Sequence, residues 1–255
     1  MNRKISGSIQ LSRQTKKINL ATPAYSSSFS AEYVSTLYRL LTKKDVKLNL
    51  SYSLSHVDYA DIVESRNYLI SNFYFNKTDC DYILFMDADM GFGGRLIERM
   101  VETGGDVVGV IAPKRSISLD RLHSASERDF QTAYADACDF IGKPTAIGRD
   151  GFFKVDRVGT GILLISRSCV RTLISECDDI RPEYGVPEHF KDSLSSFITP
   201  FNKIVSKEGP LSEDLSFCYR WVKMCGGEIV ANGDEPVTHV GRIGIRTAYT
   251  ESSQV

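Results

Sequence analysis

Residues 82–94, YILFMDADMGFGG, decide the fold, because five apolar side chains run directly into Asp87 and Asp89. An uninterrupted apolar run bounded by polar residues and glycines is typical of a strand buried on both faces of a helix-covered parallel sheet. In open α/β sheets, ligands bind in the crevice outside the carboxyl ends of the strands. The stretch therefore predicts a buried strand that delivers two carboxylates to a ligand crevice.

The two carboxylates suit one shared divalent cation. If the chain stays extended through the turn, Asp87 and Asp89 point the same way, because strand side chains alternate with period two. Mg²⁺ and Mn²⁺ prefer oxygen ligands, and Mg²⁺ sites often combine one or two carboxylates with phosphate oxygens and water. An Asp-x-Asp triplet alone is also compatible with a solvated turn or a helix cap. Its place after a buried strand favours a metal that carries a nucleotide diphosphate.

The patterns around this strand predict a Rossmann-like α/β domain with a mixed, mostly parallel sheet flanked by helices. A strand at 82, a helix at 95–102 and a strand at 106–112 have about the thirty-residue length of a βαβ unit, which favours parallel strands. The residues between 152 and 165 indicate a strand pair or a bent strand. Hydrophobic periodicity and end signals predict further strands at 17–21, 46–54, 228–230 and 236–240, and helices at 31–44, 59–75, 168–175 and from 213.

Length and composition favour one domain of 255 residues with a substantial core. We expect residues 1–15 to be disordered, residues 16–246 to form the domain and residues 247–255 to be a polar tail. Two segments, 113–151 and 181–210, show poor periodicity and are predicted to be irregular.

The charges almost cancel, with 31 Lys+Arg against 32 Asp+Glu, which disfavours binding of nucleic acid through a global positive field. The six cysteines show no CxxC spacing, so we expect mostly buried free thiols in a reducing compartment. No run of about eighteen apolar residues and no signal-peptide core is found. These features predict a soluble cytoplasmic protein without a membrane span.

Seven short motifs follow one another along the chain: ATPAY (21–25), SRNYLI (65–70), YILFMDADM (82–90), VVGVIAPK (107–114), VGTGILLISR (158–167), LSEDLSFCYRW (211–221) and THVG (238–241). In this order they resemble the GT-A-fold glycosyltransferases, especially the small enzymes of viral and bacterial origin. The resemblance covers about residues 17–245.

The resemblance implies a nucleotide-diphosphate-sugar donor, Mn²⁺ or Mg²⁺ held by the Asp-x-Asp pair, and transfer of the sugar to an acceptor hydroxyl. It implies a donor-binding half at 16–112 and an acceptor-binding half at 113–246. A glycan, a lipid-linked sugar or a protein would suit the acceptor side, and the near-zero net charge makes nucleic acid the less favoured acceptor. The identity of the sugar and the oligomeric state stay open.

By the same resemblance, Asp89 is the direct metal ligand, and Asp87 lies nearer the ribose and the metal's waters. His239 matches a late histidine that completes the metal shell or contacts the diphosphate. Imidazole is an acceptable ligand for Mn²⁺, although a lone histidine is more often structural.

Four further residues match donor contacts of the family. Thr22, Pro23 and Tyr25 match the loop after the first strand that cradles the base. Arg66 matches a basic contact to the nucleotide, but its pattern fits a helix-surface arginine equally well.

Four other residues are candidates from their positions in the sequence. Lys114 and Arg115 follow a strand end, where they would neutralise a diphosphate leaving group or simply be solvated. Gly161, like Gly159, would let the backbone approach the sugar, or it would serve a tight bend.

Glu213 and Asp214 have a structural explanation, because the helix dipole favours acidic residues in a first turn. Their likeness to the ED pair of inverting enzymes implies that Asp214 is the general base and that Glu213 orients a substrate. A base needs hydrogen-bond reach to the acceptor hydroxyl. A retaining enzyme could use the same pair for substrate binding, so the stereochemical outcome stays open.

Two other functions compete with glycosyl transfer. A nucleotidyltransferase that forms nucleotide sugars would also use a Rossmann-like sheet and metal carboxylates, but residues 21–30, ATPAYSSSFS, lack the glycine-rich loop with arginine and lysine that it requires. A non-catalytic glycan- or nucleotide-sugar-binding module would not need both intact carboxylate pairs.

Overall fold

A computed structural model describes residues 15–42, 48–207 and 209–241. The predictions for residues 1–14 and for the tail at 247–255 lie outside this part of the chain. The described strands are β1 (Lys16–Pro23), β2 (Leu50–Val57), β3 (Tyr82–Met86), β4 (Met90–Phe92), β5 (Val107–Val110), β6 (Pro113–Ile117), β7 (Cys138–Phe140), β8 (Pro144–Arg149), β9 (Phe152–Val155), β10 (Ile162–Ser166), β11 (Val205–Ser206), β12 (Gly209–Pro210), β13 (Ile229–Asn232) and β14 (Val237–His239).

The described helices begin after polar caps in most cases, as with Ser212, whose side chain accepts from the Leu215 amide. Two of them continue into single π-helical turns, at Asn72–Asn76 and Arg220–Met224. The α-helices are α1 (Ala31–Thr42), α2 (Ile62–Ser71), α3 (Leu96–Glu102), α4 (Leu119–Ser124), α5 (Phe130–Ala137), α6 (Arg167–Glu176) and α7 (Glu213–Tyr219).

The central sheet has eight strands in the order β2-β1-β3-β10-β5-β13-β9-β8. Strands β10 and β9 run opposite to the other six. The predicted mixed, mostly parallel sheet with flanking helices is therefore confirmed. Three two-stranded ladders, β4 with β14, β6 with β7 and β11 with β12, accompany it in the described residues.

Strand β3 is buried on both faces, as its apolar run predicts. Ile83 and Phe85 pack into a cluster with side chains of α2 and α6, whereas Leu84 and Met86 pack into a second cluster with side chains of α3. All four are fully buried. Two covered faces explain why the sequence of β3 has no polar alternation.

The chain does not stay extended through the Asp-x-Asp triplet. It turns after β3, with the Met90 amide bonded to the Asp87 carbonyl at 3.0 Å, and β4 then pairs with β14. The condition under which both carboxylates would point the same way, an extended chain, is therefore not met. Strands β3 and β5 are parallel as predicted, but β10 lies between them and pairs antiparallel with both.

The segment 113–151 is not irregular, because it holds β6, α4, α5, β7 and β8. These elements are short and largely exposed, so they carry little hydrophobic periodicity. The run at 152–165 forms β9 and β10, which pair with other strands and not with each other. Helix α2 begins at Ile62, later than the predicted residue 59, and Ile62 is exposed.

No helix within residues 15–42, 48–207 and 209–241 is long and apolar enough to cross a membrane. The six cysteines are free thiols, and four of them are buried. Burial raises the pKa of Cys218 to about 12. A buried thiol of this kind acts as a small apolar side chain.

Candidate functional site

A crevice of about 970 Å³ opens at the carboxyl ends of β1 and β3. Helix α7 contributes its first turn, and the chain after β14 closes one side. One part of the wall is apolar and the other is charged. The residues that define it are Tyr25, Phe29, Ile62, Arg66, Asp87, Asp89, Arg115 and Glu213.

Arg66 lies at the centre of the charged wall. Its side chain is only 4% exposed, and Nη1 donates to Glu213 Oε1 at 2.8 Å and to Asp214 Oδ1. Nη2 contacts the two carboxylate oxygens of Asp87 at 3.4 and 3.3 Å. Burial disfavours the charged guanidinium, but the charges of Asp87, Asp214 and Glu213 outweigh it and raise the pKa of Arg66. Arg66 is thus a buried ion-pair centre and not a helix-surface arginine.

Asp214 is held at the start of α7 by two donors. Thr160 Oγ1 donates to Asp214 Oδ1 at 3.0 Å, and Arg66 donates to the same oxygen. The second oxygen, Oδ2, faces Gly159, where an added Cβ would lie 3.8 Å away. One carboxylate oxygen is thereby fixed, and the other lies beside a glycine, which has no side chain to contact it.

Asp89 has different partners from Asp87, because it contacts Arg115 and His239. Arg115 Nη1 lies 2.9 Å from Asp89 Oδ2, and His239 Nε2 lies 3.5 Å from Asp89 Oδ1. Burial would raise the pKa of Asp89, but the hydrogen bond and charge of His239, with the charge of Arg115, hold that pKa below its usual range. Burial likewise opposes protonation of His239, but its bonds to Asp89 and to the Pro113 carbonyl raise its pKa.

The ring of His239 is oriented for a ligand at Nε2. Nδ1 lies 2.8 Å from the Pro113 carbonyl, which can only accept, so Nδ1 carries the proton. A backbone carbonyl that fixes the tautomer in this way is typical of metal-binding histidines. Neutral His239 therefore presents the Nε2 lone pair on the side of Asp89.

The described residues contain no group of three or more His, Cys, Asp or Glu side chains arranged to hold a metal ion. Asp89 and His239 converge, whereas Asp87 faces Arg66. Two protein ligands nevertheless fit Mg²⁺ or Mn²⁺ that keeps water and phosphate oxygens in its remaining positions. The residues present thus suit a cation that binds together with a phosphorylated ligand.

The predicted base-binding residues lie at different depths. Thr22 is fully buried, and its hydroxyl is 2.7 Å from the Tyr33 hydroxyl, so it supports the wall from behind. Pro23 and Tyr25 line the crevice, and the Tyr25 side chain is 67% exposed.

The loop after β1 depends on Asp58, a residue that the sequence analysis missed. Ser26 and Ser27 have positive φ values of 56° and 48°, which non-glycine residues rarely adopt. Asp58 accepts from the Ser26 amide and from the Ser27 hydroxyl, both at 2.8 Å. Asp58 directly follows β2 at the same edge of the sheet, and this position could have indicated a role in the site.

Two residues that were predicted to bind the donor, Lys114 and Gly161, are not among the residues that line the crevice. Lys114 lines a second cavity of about 510 Å³ beside the crevice. Gly161 accepts from the Asp87 amide at 3.0 Å through its carbonyl, and an added Cβ would contact Asp87 Oδ2 at 3.5 Å. Gly161 therefore positions Asp87.

Thr160, the neighbour of Gly161, was not predicted as a site residue, because a threonine in a bend gives no chemical signal by itself.

Comparison with known proteins gives no family and no curated relative, because no family model and no curated protein matches the chain. Among solved structures, A197 from STIV superposes with a TM-score of 0.46 at 10% identity, over 92% of this chain and 99% of that one. A putative glucose-1-phosphate thymidylyltransferase from Bacillus anthracis, crystallised with sucrose, gives a TM-score of 0.40 at 11% identity, over 89% of each chain. Similarities at this level carry no information about activity.

Proposed function

We propose that this chain is a metal-dependent glycosyltransferase that moves a sugar from a nucleotide-diphosphate sugar to an acceptor hydroxyl. The observation that supports it most is that Asp89 and Arg66 line one crevice, where Asp89 lies 3.5 Å from His239 Nε2 and Arg66 bonds to Asp214. A cation ligand pair and an oriented carboxylate are both required for this chemistry. Assignment to the GT-A fold is part of the proposal.

In the proposed reaction, Asp89 and His239 would hold Mg²⁺ or Mn²⁺, which would supply Lewis-acid stabilisation of the departing diphosphate. Tyr25 offers an exposed ring on the apolar side of the crevice, where a base can stack. Asp214 Oδ2 accepts the proton of the acceptor hydroxyl as the oxygen attacks the anomeric carbon.

Arg66 and Glu213 position this base. The bonds from Arg66 and Thr160 fix Asp214 Oδ1, so that Oδ2 is the oxygen left for the acceptor. Glu213 shares Nη1 of Arg66 and keeps the guanidinium turned towards α7. The proposal is an inverting transfer, because a single carboxylate then acts as base without a covalent intermediate.

A donor panel tests the proposal. UDP-, GDP- and dTDP-sugars are screened by thermal shift with and without Mn²⁺, because a ligand that binds only the native state raises the Tm. A donor at 100 times its Kd should add about 2.7 kcal/mol, which corresponds to roughly 5–10 °C for a chain of this size. The shift should require Mn²⁺ and should disappear in Asp89→Ala.

Asp136→Ala is the matched control, because Asp136 is also paired with an arginine but lies in an exposed ion pair on α5. It should keep the full donor shift. Failure of every donor to shift the Tm, together with no release of nucleoside diphosphate, would refute the proposal. Formation of nucleotide sugar from a nucleoside triphosphate and a sugar 1-phosphate would instead identify a nucleotidyltransferase.

A further inference from the structure

Arg115 occupies the boundary between the crevice and the second cavity, and it lines both. Its backbone is held in β6 and packs against Gly241, where an added Cβ would lie 3.0 Å from the Arg115 carbonyl oxygen. Its side chain is 61% exposed. A fixed backbone with an exposed side chain allows the guanidinium to change partners at little cost.

The present partner of that guanidinium is a metal-ligand candidate. Arg115 contacts Asp89 Oδ2 at 2.9 Å, while His239 approaches Oδ1. A divalent cation and the Arg115 guanidinium are both positively charged, so they repel each other when both lie against the single negative charge of Asp89. Arg115 therefore competes with any divalent ion for Asp89.

We propose that Arg115 is an exchangeable counter-ion, which neutralises Asp89 before a divalent cation binds and transfers to the diphosphate once the cation holds Asp89. The inference rests on the proposed function, since it assumes a metal and a diphosphate in this crevice. The inference adds that Arg115 has opposite effects on the binding of the cation and of the diphosphate. Loss of Arg115 removes a competitor of the metal and also removes a donor to the diphosphate.

The test compares the direction of the change in Mn²⁺ affinity with the direction of the change in pyrophosphate affinity. Arg115→Gln should bind Mn²⁺ alone about two- to fivefold more tightly, which is the range for releasing an exposed ion pair. The same variant, saturated with Mn²⁺, should bind inorganic pyrophosphate about tenfold more weakly or worse, because a charge-assisted hydrogen bond is lost. Isothermal titration measures both affinities without any turnover.

Arg128→Gln is the matched control. Arg128 is exposed to the same 61% and also pairs with an aspartate, Asp136, but on α5 away from the crevice. Arg128→Gln removes one positive charge, as Arg115→Gln does, so it controls for the change in the long-range electrostatic field of the protein. Both affinities should equal those of the wild type.

The outcomes separate the two proposals. If the wild type binds no Mn²⁺, the proposed function fails. If the wild type binds Mn²⁺ and pyrophosphate but Arg115→Gln weakens both, Arg115 is a structural support and the exchange is refuted. An Arg115→Gln variant with both affinities unchanged refutes it equally.

Discussion

Arg66 is the residue whose removal should disturb the site most, and Arg66→Met tests this. The substitution deletes the only guanidinium that bonds to Asp87, Glu213 and Asp214 in the described structure, and it leaves the side-chain volume roughly filled. Removing one partner of a buried ion pair costs about 3–5 kcal/mol. The three carboxylates keep some contact with water, being 17–24% exposed, so the lower end applies.

We therefore expect Arg66→Met to lower the free energy of unfolding by about 3 kcal/mol at pH 8. The loss should shrink towards pH 5. In the variant, three carboxylates are left together without their counter-ion, and the repulsion between them weakens as the pH falls and the negative charge of the chain decreases. Stability relative to the wild type is then regained as the pH falls.

Urea unfolding followed by circular dichroism at pH 5, 6.5 and 8 measures this difference. Arg220→Met is the control, because Arg220 is equally buried but bonds to one half-exposed carboxylate, Asp179, and to the carbonyls of Pro200 and Asn202. Arg220→Met should lower the free energy of unfolding by as much as Arg66→Met does, but this loss should depend less on pH. A loss below about 1 kcal/mol for Arg66→Met, or an equal loss at pH 5 and pH 8, would refute the view that Arg66 holds the carboxylates together.

Three other predictions follow from single residues. The pKa of His239 is raised because its hydrogen bonds outweigh burial, so its contribution to metal-free stability is complete below pH 6.5 and is lost as the pH rises through the folded value. Metal needs the neutral ring, so titration calorimetry should show Mn²⁺ affinity rising from pH 6 to pH 8, and the rise should flatten in His239→Gln. Asp214→Asn should keep donor binding and lower turnover by about 10²–10⁴-fold, whereas normal turnover would show that Asp214 is not the base. Gly227→Ala should cost about 2–3 kcal/mol in urea unfolding, because its Cβ would lie 2.1 Å from the ring of Trp221. Gly226→Ala, in open space at φ +69°, should cost only about 1 kcal/mol, and equal costs would contradict this account.

The parts of the fold that were predicted correctly are those with a local cause. The run at 82–86 is apolar because helices cover both faces of β3, and that pattern is visible in any window of the sequence. The crevice follows from topology, since the carboxyl ends of parallel strands meet at one edge. Ser212 caps α7 through a contact only three residues long.

The parts that were not predicted depend on distant partners. Strand β4 has three residues and exists because β14 pairs with it about 145 positions later in the chain. Arg66 and Asp214 are separated by 148 residues, so nothing local to Arg66 distinguishes an ion-pair centre from a helix-surface arginine. The turn at 87–89 also has a distant partner, because the Val240 amide donates to the Asp89 carbonyl at 2.8 Å.

The charges in the crevice bear on the order in which ligands bind. Four carboxylates, Asp87, Asp89, Glu213 and Asp214, face two guanidinium groups in the described residues. With His239 neutral, the site has an excess of two negative charges, which one divalent cation neutralises. A free diphosphate meets repulsion at the same place, and the low dielectric of a partly buried site strengthens it. We therefore expect the cation to bind before the diphosphate or together with it, and Arg115 to become available to the phosphates only at that step.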